Sequence, residues 1–130
     1  MTDFRTVPLL DVPRGNAPLR DEIIAAITAV IDSGRFLFGP DVPKLEAECA
    51  RWSGTAHGVG CASGSDALLL SLMALDIKPG DEVICPSFTF FATASPVTRL
   101  GATPVFVDID PVTFNIDPAA LEAAITPNTK

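Results

Sequence analysis

Residues 61–90 read CASGSDALLLSLMALDIKPGDEVICPSFTF. In order they hold a small-residue turn (Cys61 to Asp66), an apolar helical run (Ala67 to Leu75), a turn at Gly80 and Asp81, and a strand around Val83 to Cys85 closed by Pro86. A short strand is predicted just ahead, over His57 to Ala62, so the stretch reads as one β-α-β unit with parallel strands and a right-handed crossover. The turn suits an anion. A helix start leaves backbone N–H groups without partners and carries about half a positive charge, so a phosphate placed there gains hydrogen bonds and field together. The chain then returns Ser87, Phe88, Thr89 and Phe90 to the same edge.

In an open α/β sheet, ligands sit at the carboxyl ends of the strands, where successive loops converge. One loop here offers phosphate donors, and the other, with Phe90 turned inward, offers a flat apolar face for a heteroaromatic ring. Together they point to a phosphorylated aromatic cofactor. Pyridoxal phosphate fits both halves of that description, and the same geometry admits a nucleotide.

The alternation of strand and helix continues outward. Thr89 to Leu100 predicts a helix, with a kink at Pro96 because an interior proline removes one hydrogen bond. Pro104 to Asp108 predicts a third strand, whose unbroken run Val105, Phe106, Val107 suits a sheet covered on both faces. Phe114 to Ile116 reads as a short extended piece, and Asp117 as the cap of a helix with Pro118 in its first turn, running to about Ile125. Toward the N-terminus, Leu19, Ile23, Ile27, Val30 and Ile31 share one helical face from Pro18 to a stop at Gly34. Gly39 and Pro40 open another helix, through about Trp52, closed by Gly54. Residues 1–17 contain Pro8, Pro13, Arg14 and Gly15 without periodicity and are expected to form an extended arm. The expected fold class is α/β, with a mainly parallel sheet flanked by helices over 18–130. A sheet edge left open after Lys130 predicts that the chain is a fragment.

Of 130 residues, 48% are hydrophobic and mean hydropathy is +0.36, enough for one modest core. Sixteen acidic against nine basic residues give a net charge of −7, which repels a nucleic-acid backbone. Cys49, Cys61 and Cys85 have no metal-like or paired spacing, and are expected to be reduced thiols, with Cys61 and Cys85 in buried strands. With no apolar leader after Met1 and no long apolar span, a soluble cytoplasmic protein is expected.

Several separate motifs carry a family resemblance: Ser63 to Leu75; Lys78-Pro79-Gly80-Asp81-Glu82-Val83-Ile84; Pro86-Ser87-Phe88-Thr89-Phe90; Ser33-Gly34-Arg35-Phe36 followed by Gly39-Pro40; and Gly101 to Asp110. In this order they resemble the DegT-type sugar aminotransferases, pyridoxal-phosphate enzymes of the fold type I, aspartate-aminotransferase-like class. Residues 115–130 match as well. The resemblance covers nearly the whole chain, but only the opening part of a full-length member.

It implies that 18–130 is a partial large domain, the first portion of that class's fold. It further implies a dimer with active sites built across the interface, and transfer of an amino group from glutamate or glutamine to a nucleotide-linked keto sugar. The family's Ser-Gly-Thr-Asp element matches Ser63, Gly64, Ser65 and Asp66. That match assigns the cofactor phosphate to Gly64, Ser65 and Asp66, with the amides of Ser65 and Asp66 and the Ser65 hydroxyl as donors. The family's ring-stacking aromatic matches Phe90, which packing alone would assign to a core. The lysine that anchors the cofactor, the aspartate that pairs with its ring nitrogen and a further phosphate-binding serine fall beyond position 130 in the family pattern. None of Lys44, Lys78 and Lys130 stands in the lysine motif, so the segment by itself is expected to be inactive.

Other signals weigh less. Gly58, Gly60 and Ser63 form a G-x-G-x-x-S pattern, but the glycines fall inside the predicted strand and no acid ends the next one, so close packing is the better reading. His57 stands alone. Asp108, Asp110 and Asp117 have a spacing a hard cation could use, yet each sits where a turn or cap wants a short acceptor. Arg35 is the candidate for a nucleotide diphosphate, through forked contacts; against it stands the reading of a lone surface arginine. Alternatives to the transaminase are a deoxysugar dehydratase of the same family, a nucleotide-binding α/β oxidoreductase and a non-catalytic interaction module.

Overall fold

The computed structural model describes residues 7–130, and the chain divides into two compact units, one ending at Gly60 and one beginning at Cys61. In the first, α1 spans Val12–Asn16, α2 Arg20–Ser33 and α3 Asp41–Ser53. The α1 turn replaces part of the expected extended arm. Asp11 Oδ1 accepts the Arg14 N–H at 3.1 Å and a proline lies in the first turn, two helix-start signals that the Pro and Gly content masks. Residues 1–6 of that arm lie outside the described residues. A 3-10 turn, Ala17–Leu19, leads into α2.

Helices α2 and α3 form as expected and stop at Gly34 and Gly54, with φ of 63° and 67°, a left-handed conformation that glycine adopts without strain. The apolar stripe of α2 stays open, Ile27 being 54% exposed and Ile31 58%. Ala50 of α3 is buried.

The strand expected over His57 to Ala62 does not form. Gly60 N–H instead donates to Glu46 Oε1 on α3, 2.7 Å away. At Gly58 an added Cβ would collide with the Glu46 carbonyl. A strand needs another strand to take its backbone groups, and here α3 supplies the contact. Close packing of the glycines is therefore correct, but not within a sheet.

The second unit contains α4 (Gly64–Ala74), β1 (Glu82–Pro86), α5 (Ser95–Arg99), β2 (Thr103–Val107) and α6 (Pro118–Ala123). Strands β1 and β2 pair in parallel from Glu82 opposite Thr103 to Pro86 opposite Val107. The other edge of β1 is occupied at its start: Glu82 N–H donates to Asn128 O at 2.9 Å, Lys130 N–H donates to Glu82 O at 3.0 Å, and Thr129 bridges Glu82 in parallel. The third sheet neighbour is thus the 128–130 segment rather than 57–62.

Ile77, Cys85, Val97 and Ala102 form the buried cluster, with Leu72, Val83 and Leu100 packed against it. Burial pushes the Cys85 thiol above its ordinary pKa. Cys61, expected in a buried strand, is exposed because that strand is absent. Nor is the sheet covered on both sides along β2: Val107 is buried while Phe106 is exposed, as alternation across a strand requires when one face is open.

The helix expected over 89–100 breaks in two, a 3-10 turn at Phe91–Thr93 and then α5. Pro96 falls in the first turn of α5, where its missing N–H removes no helical bond, so the chain restarts rather than kinks. Asp117 Oδ1 caps α6 by accepting the Ala119 N–H at 2.9 Å, as expected; the extended piece expected over Phe114 to Ile116 is instead a turn, with Phe114 at φ 59° and a single antiparallel bridge from Ile116 to Ile109.

Candidate active site

The local chemistry of Ser63 builds the start of α4. Its backbone is extended, its Oγ accepts the Asp66 N–H at 3.1 Å and its carbonyl accepts the Ala67 N–H at 3.0 Å. Serine suits this position because its short hydroxyl reaches the third amide of the helix. The amides of Gly64 and Ser65 are left without an acceptor among the described residues. Of the expected donor pair, the Ser65 amide is free, whereas the Asp66 amide is bound to Ser63 Oγ in this structure. The cap was legible in sequence, since Ser before Gly-Ser-Asp is a strong N-terminal signal.

Space at this seat is open. Gly64 is exposed, and a Cβ built on it meets nothing within 4 Å. Ser65 and Asp66 are half-buried. Two free main-chain donors at the positive end of an 11-residue helix, a neighbouring Ser65 hydroxyl and clear space in front fit a phosphate group.

Phe90 lies in the loop after β1, with extended backbone, its carbonyl accepting the Thr93 N–H at 2.9 Å. Phe90 is 78% exposed, which removes it from the core. The adjoining turn Phe91–Thr93 packs against α4, and Thr89 and Thr93 hydroxyls share a hydrogen bond of 2.9 Å that fixes the loop. Phe88 of the same loop and Phe114 of the loop after β2 have rings 5.9 Å apart, tilted by 45°.

The three aspartates are occupied by local structure. Asp110 Oδ1 accepts the N–H groups of Thr113 at 2.7 Å and Val112 at 3.0 Å. Bonds from the Thr113 amide and hydroxyl, then from the Val112 amide, hold its carboxyl below the usual range. Asp108 Oδ1 takes the Ile109 N–H at 2.8 Å. Among the described residues no three ligating side chains gather for a metal ion.

Lys78 and Lys130 lie at the amino end of β1, away from the loops that follow the strands. Lys78 Nζ meets Asp76 Oδ2 at 3.1 Å; that bond, with the charges of Asp76 and Asp81, raises its pKa. Lys44 on α3 pairs with Asp41 at 3.5 Å. Arg35 is exposed, its amide bound to Ser33 Oγ at 3.1 Å, and it lines a shallow groove with Lys44, Val30 and Pro40. The Glu46 contact to Gly60 had no local signal, because it joins residues 14 apart.

The sequence pattern of the DegT/DnrJ/EryC1/StrS aminotransferase family matches residues 18–130. The chain belongs to this family. Among its relatives is a UDP-N-acetyl-3-dehydro-alpha-D-glucosamine 3-aminotransferase of Acidithiobacillus ferrooxidans, 55% identical over 130 residues, covering all of this chain and 35% of the relative. DesV of S. venezuelae superposes with a TM-score of 0.91 at 48% identity, over 95% of this chain and 33% of that one. NtdA from Bacillus subtilis, solved with bound cofactor PMP, gives 0.89 at 39% identity, over 98% and 30%.

The chain thus spans about a third of the length of the curated relatives it matches. Its α/β arrangement is that of the N-terminal third of the family's pyridoxal-phosphate fold type I enzymes. Among the described residues no helix is long and apolar enough to cross a membrane.

Proposed function

We propose that residues 18–130 are the opening portion of the large domain of a cytoplasmic, homodimeric pyridoxal-phosphate aminotransferase, with 1–17 as the segment ahead of it. The whole enzyme passes an amino group from glutamate or glutamine to a nucleotide-linked keto sugar, in amino-sugar or polysaccharide biosynthesis. The observation that carries this reading is the pair of acceptor-free amides at Gly64 and Ser65, in a chain of this family.

When bound, pyridoxal phosphate supplies an electron sink for the carbon that loses or gains a proton. This chain's residues would seat it. The Gly64 and Ser65 amides and the Ser65 hydroxyl hold the phosphate, while Asp66, its amide tied to Ser63, keeps the first helical turn closed beneath it. Phe90 supplies the apolar face for the ring, which orients the cofactor and excludes water from one side. Arg35 is the candidate for the substrate's diphosphate. No proton transfer is assigned to Lys44, Lys78 or Lys130, whose carboxylate and strand-start surroundings lie outside that role, so the segment alone is expected to be inactive.

The test uses the complete enzyme with pyridoxal phosphate, 15N-glutamate and a nucleotide-linked 3-keto sugar. Mass spectrometry is expected to find the label in the sugar. A dehydrated sugar without label would assign the dehydratase reading instead, and a protein that neither retains the cofactor nor moves the label would end the proposal.

A further inference from the structure

We propose that Glu46 is a positioning residue for the cofactor seat, acting through the main chain at Gly60. Val42, Glu46 and Ala50 follow one another at four-residue spacing on α3 and so share one face. That face holds the segment after the helix: Glu46 Oε1 accepts the Gly60 N–H at 2.7 Å, and Gly58 lies against the Glu46 backbone closely enough to exclude a Cβ. At Gly60 an added Cβ would stand 3.2 Å from Glu46 Oε1 and 3.4 Å from Val42 Cγ1. Below the face, Ala50 O accepts the Thr55 N–H at 3.0 Å, and Thr55 Oγ1 donates to His57 O at 3.1 Å. The 55–60 segment is thus tied to one helix at both ends without belonging to a sheet.

Gly60 is bonded to Cys61 and stands three residues before Ser63, the cap that leaves the Gly64 and Ser65 amides free. Oriented amides bind an anion well only when the backbone that aims them is fixed beforehand; otherwise ordering it must be offset by the ligand. A charge-assisted bond from a carboxylate to a backbone N–H is among the stronger hydrogen bonds, and this one lies just ahead of the seat. Gly58 has no room for a Cβ against the α3 backbone and Gly60 is closely spaced against Glu46 Oε1 and Val42 Cγ1, so packing on α3 accounts for the G-x-G pattern without any dinucleotide.

This inference rests on the proposed cofactor, and the test separates the two. In the complete enzyme, pyridoxal-phosphate affinity is measured by titrating the apoenzyme, and amide hydrogen exchange of residues 58–66 is followed before cofactor is added. Glu46→Ala is expected to weaken affinity about tenfold, the scale of one lost charge-assisted bond, and to speed exchange over 60–66. Glu46→Gln, which keeps an oxygen acceptor at the same reach, is expected to stay within about threefold of the parent. Glu46→Asp, one methylene too short, should resemble the alanine variant, and its contrast with Gln decides the matter if the alanine protein does not fold. Equal affinity for the Gln and Asp variants, or unchanged exchange in the Asp variant, would overturn the positioning role. An unsubstituted enzyme that takes up no pyridoxal phosphate would instead overturn the functional reading.

Discussion

The two units contrast in how they are held together. From Cys61 onward, a parallel strand pair gathers Ile77, Cys85, Val97 and Ala102 into a buried cluster, with Val97 at 0% exposure. Up to Gly60 there is no such cluster among the described residues: α2 leaves Ile23, Ile24, Ile27 and Ile31 exposed, and Ala50 is the buried apolar side chain. Helices close their own backbone hydrogen bonds and need only caps and suitable residues, so α2 and α3 form with their apolar stripe uncovered. Strands cannot, and where they form a core comes with them.

The largest test of that contrast is a pair of truncations in the 130-residue chain. Val97→Ala is expected to cost about 2 kcal/mol of unfolding free energy in denaturant melts, because it opens a cavity. Ile27→Ala should change stability by less than about 0.5 kcal/mol, since the side chain is half exposed and alanine favours a helix. Equal costs would show that the α2 stripe is packed as tightly as the sheet cluster.

Smaller in effect is Ser63→Ala, which removes the cap of α4 and should cost about 1 kcal/mol in the same melts. It also releases the Asp66 amide, whose hydrogen exchange should accelerate before that of the helix centre. An unchanged Asp66 amide would mean that the cap does not hold in solution.

The smallest effect is at Asp110. Its carboxyl is held below the usual range by the Thr113 and Val112 donors, so its contribution to stability is present above the unfolded value of about 3.9 and is lost as pH falls through the lower native value. Asp110→Asn should therefore be less stable than the parent at pH 7, by a margin that narrows as pH falls below the unfolded value. A difference that does not change with pH would assign the effect to side-chain shape rather than charge.

Much of this was legible in the chain. Gly34 and Gly54 as helix stops, Glu82 to Pro86 as a strand, Asp117 as a cap and the Ser63-Gly64-Ser65-Asp66 turn all depend on residues within a few positions of one another. The misreadings share a cause. His57 to Ala62 has strand-like composition but no strand to pair with, and Thr89 to Leu100 has helical spacing but is reset by Pro96. At the seat, the presence of free amides followed from the helix start, whereas which two remained free depended on where the Ser63 hydroxyl turned.

The sequence by itself determined the family, the glycine stops of α2 and α3, the caps of α4 and α6 and the strands β1 and β2, because caps, turns and motif spacing act over one or two turns of chain. The tertiary structure alone decided which neighbour fills the edge of β1, that Phe90 is exposed, and that Glu46 grips the Gly60 amide. Those outcomes join residues 14 or more apart or depend on what covers a side chain, and no local preference encodes either.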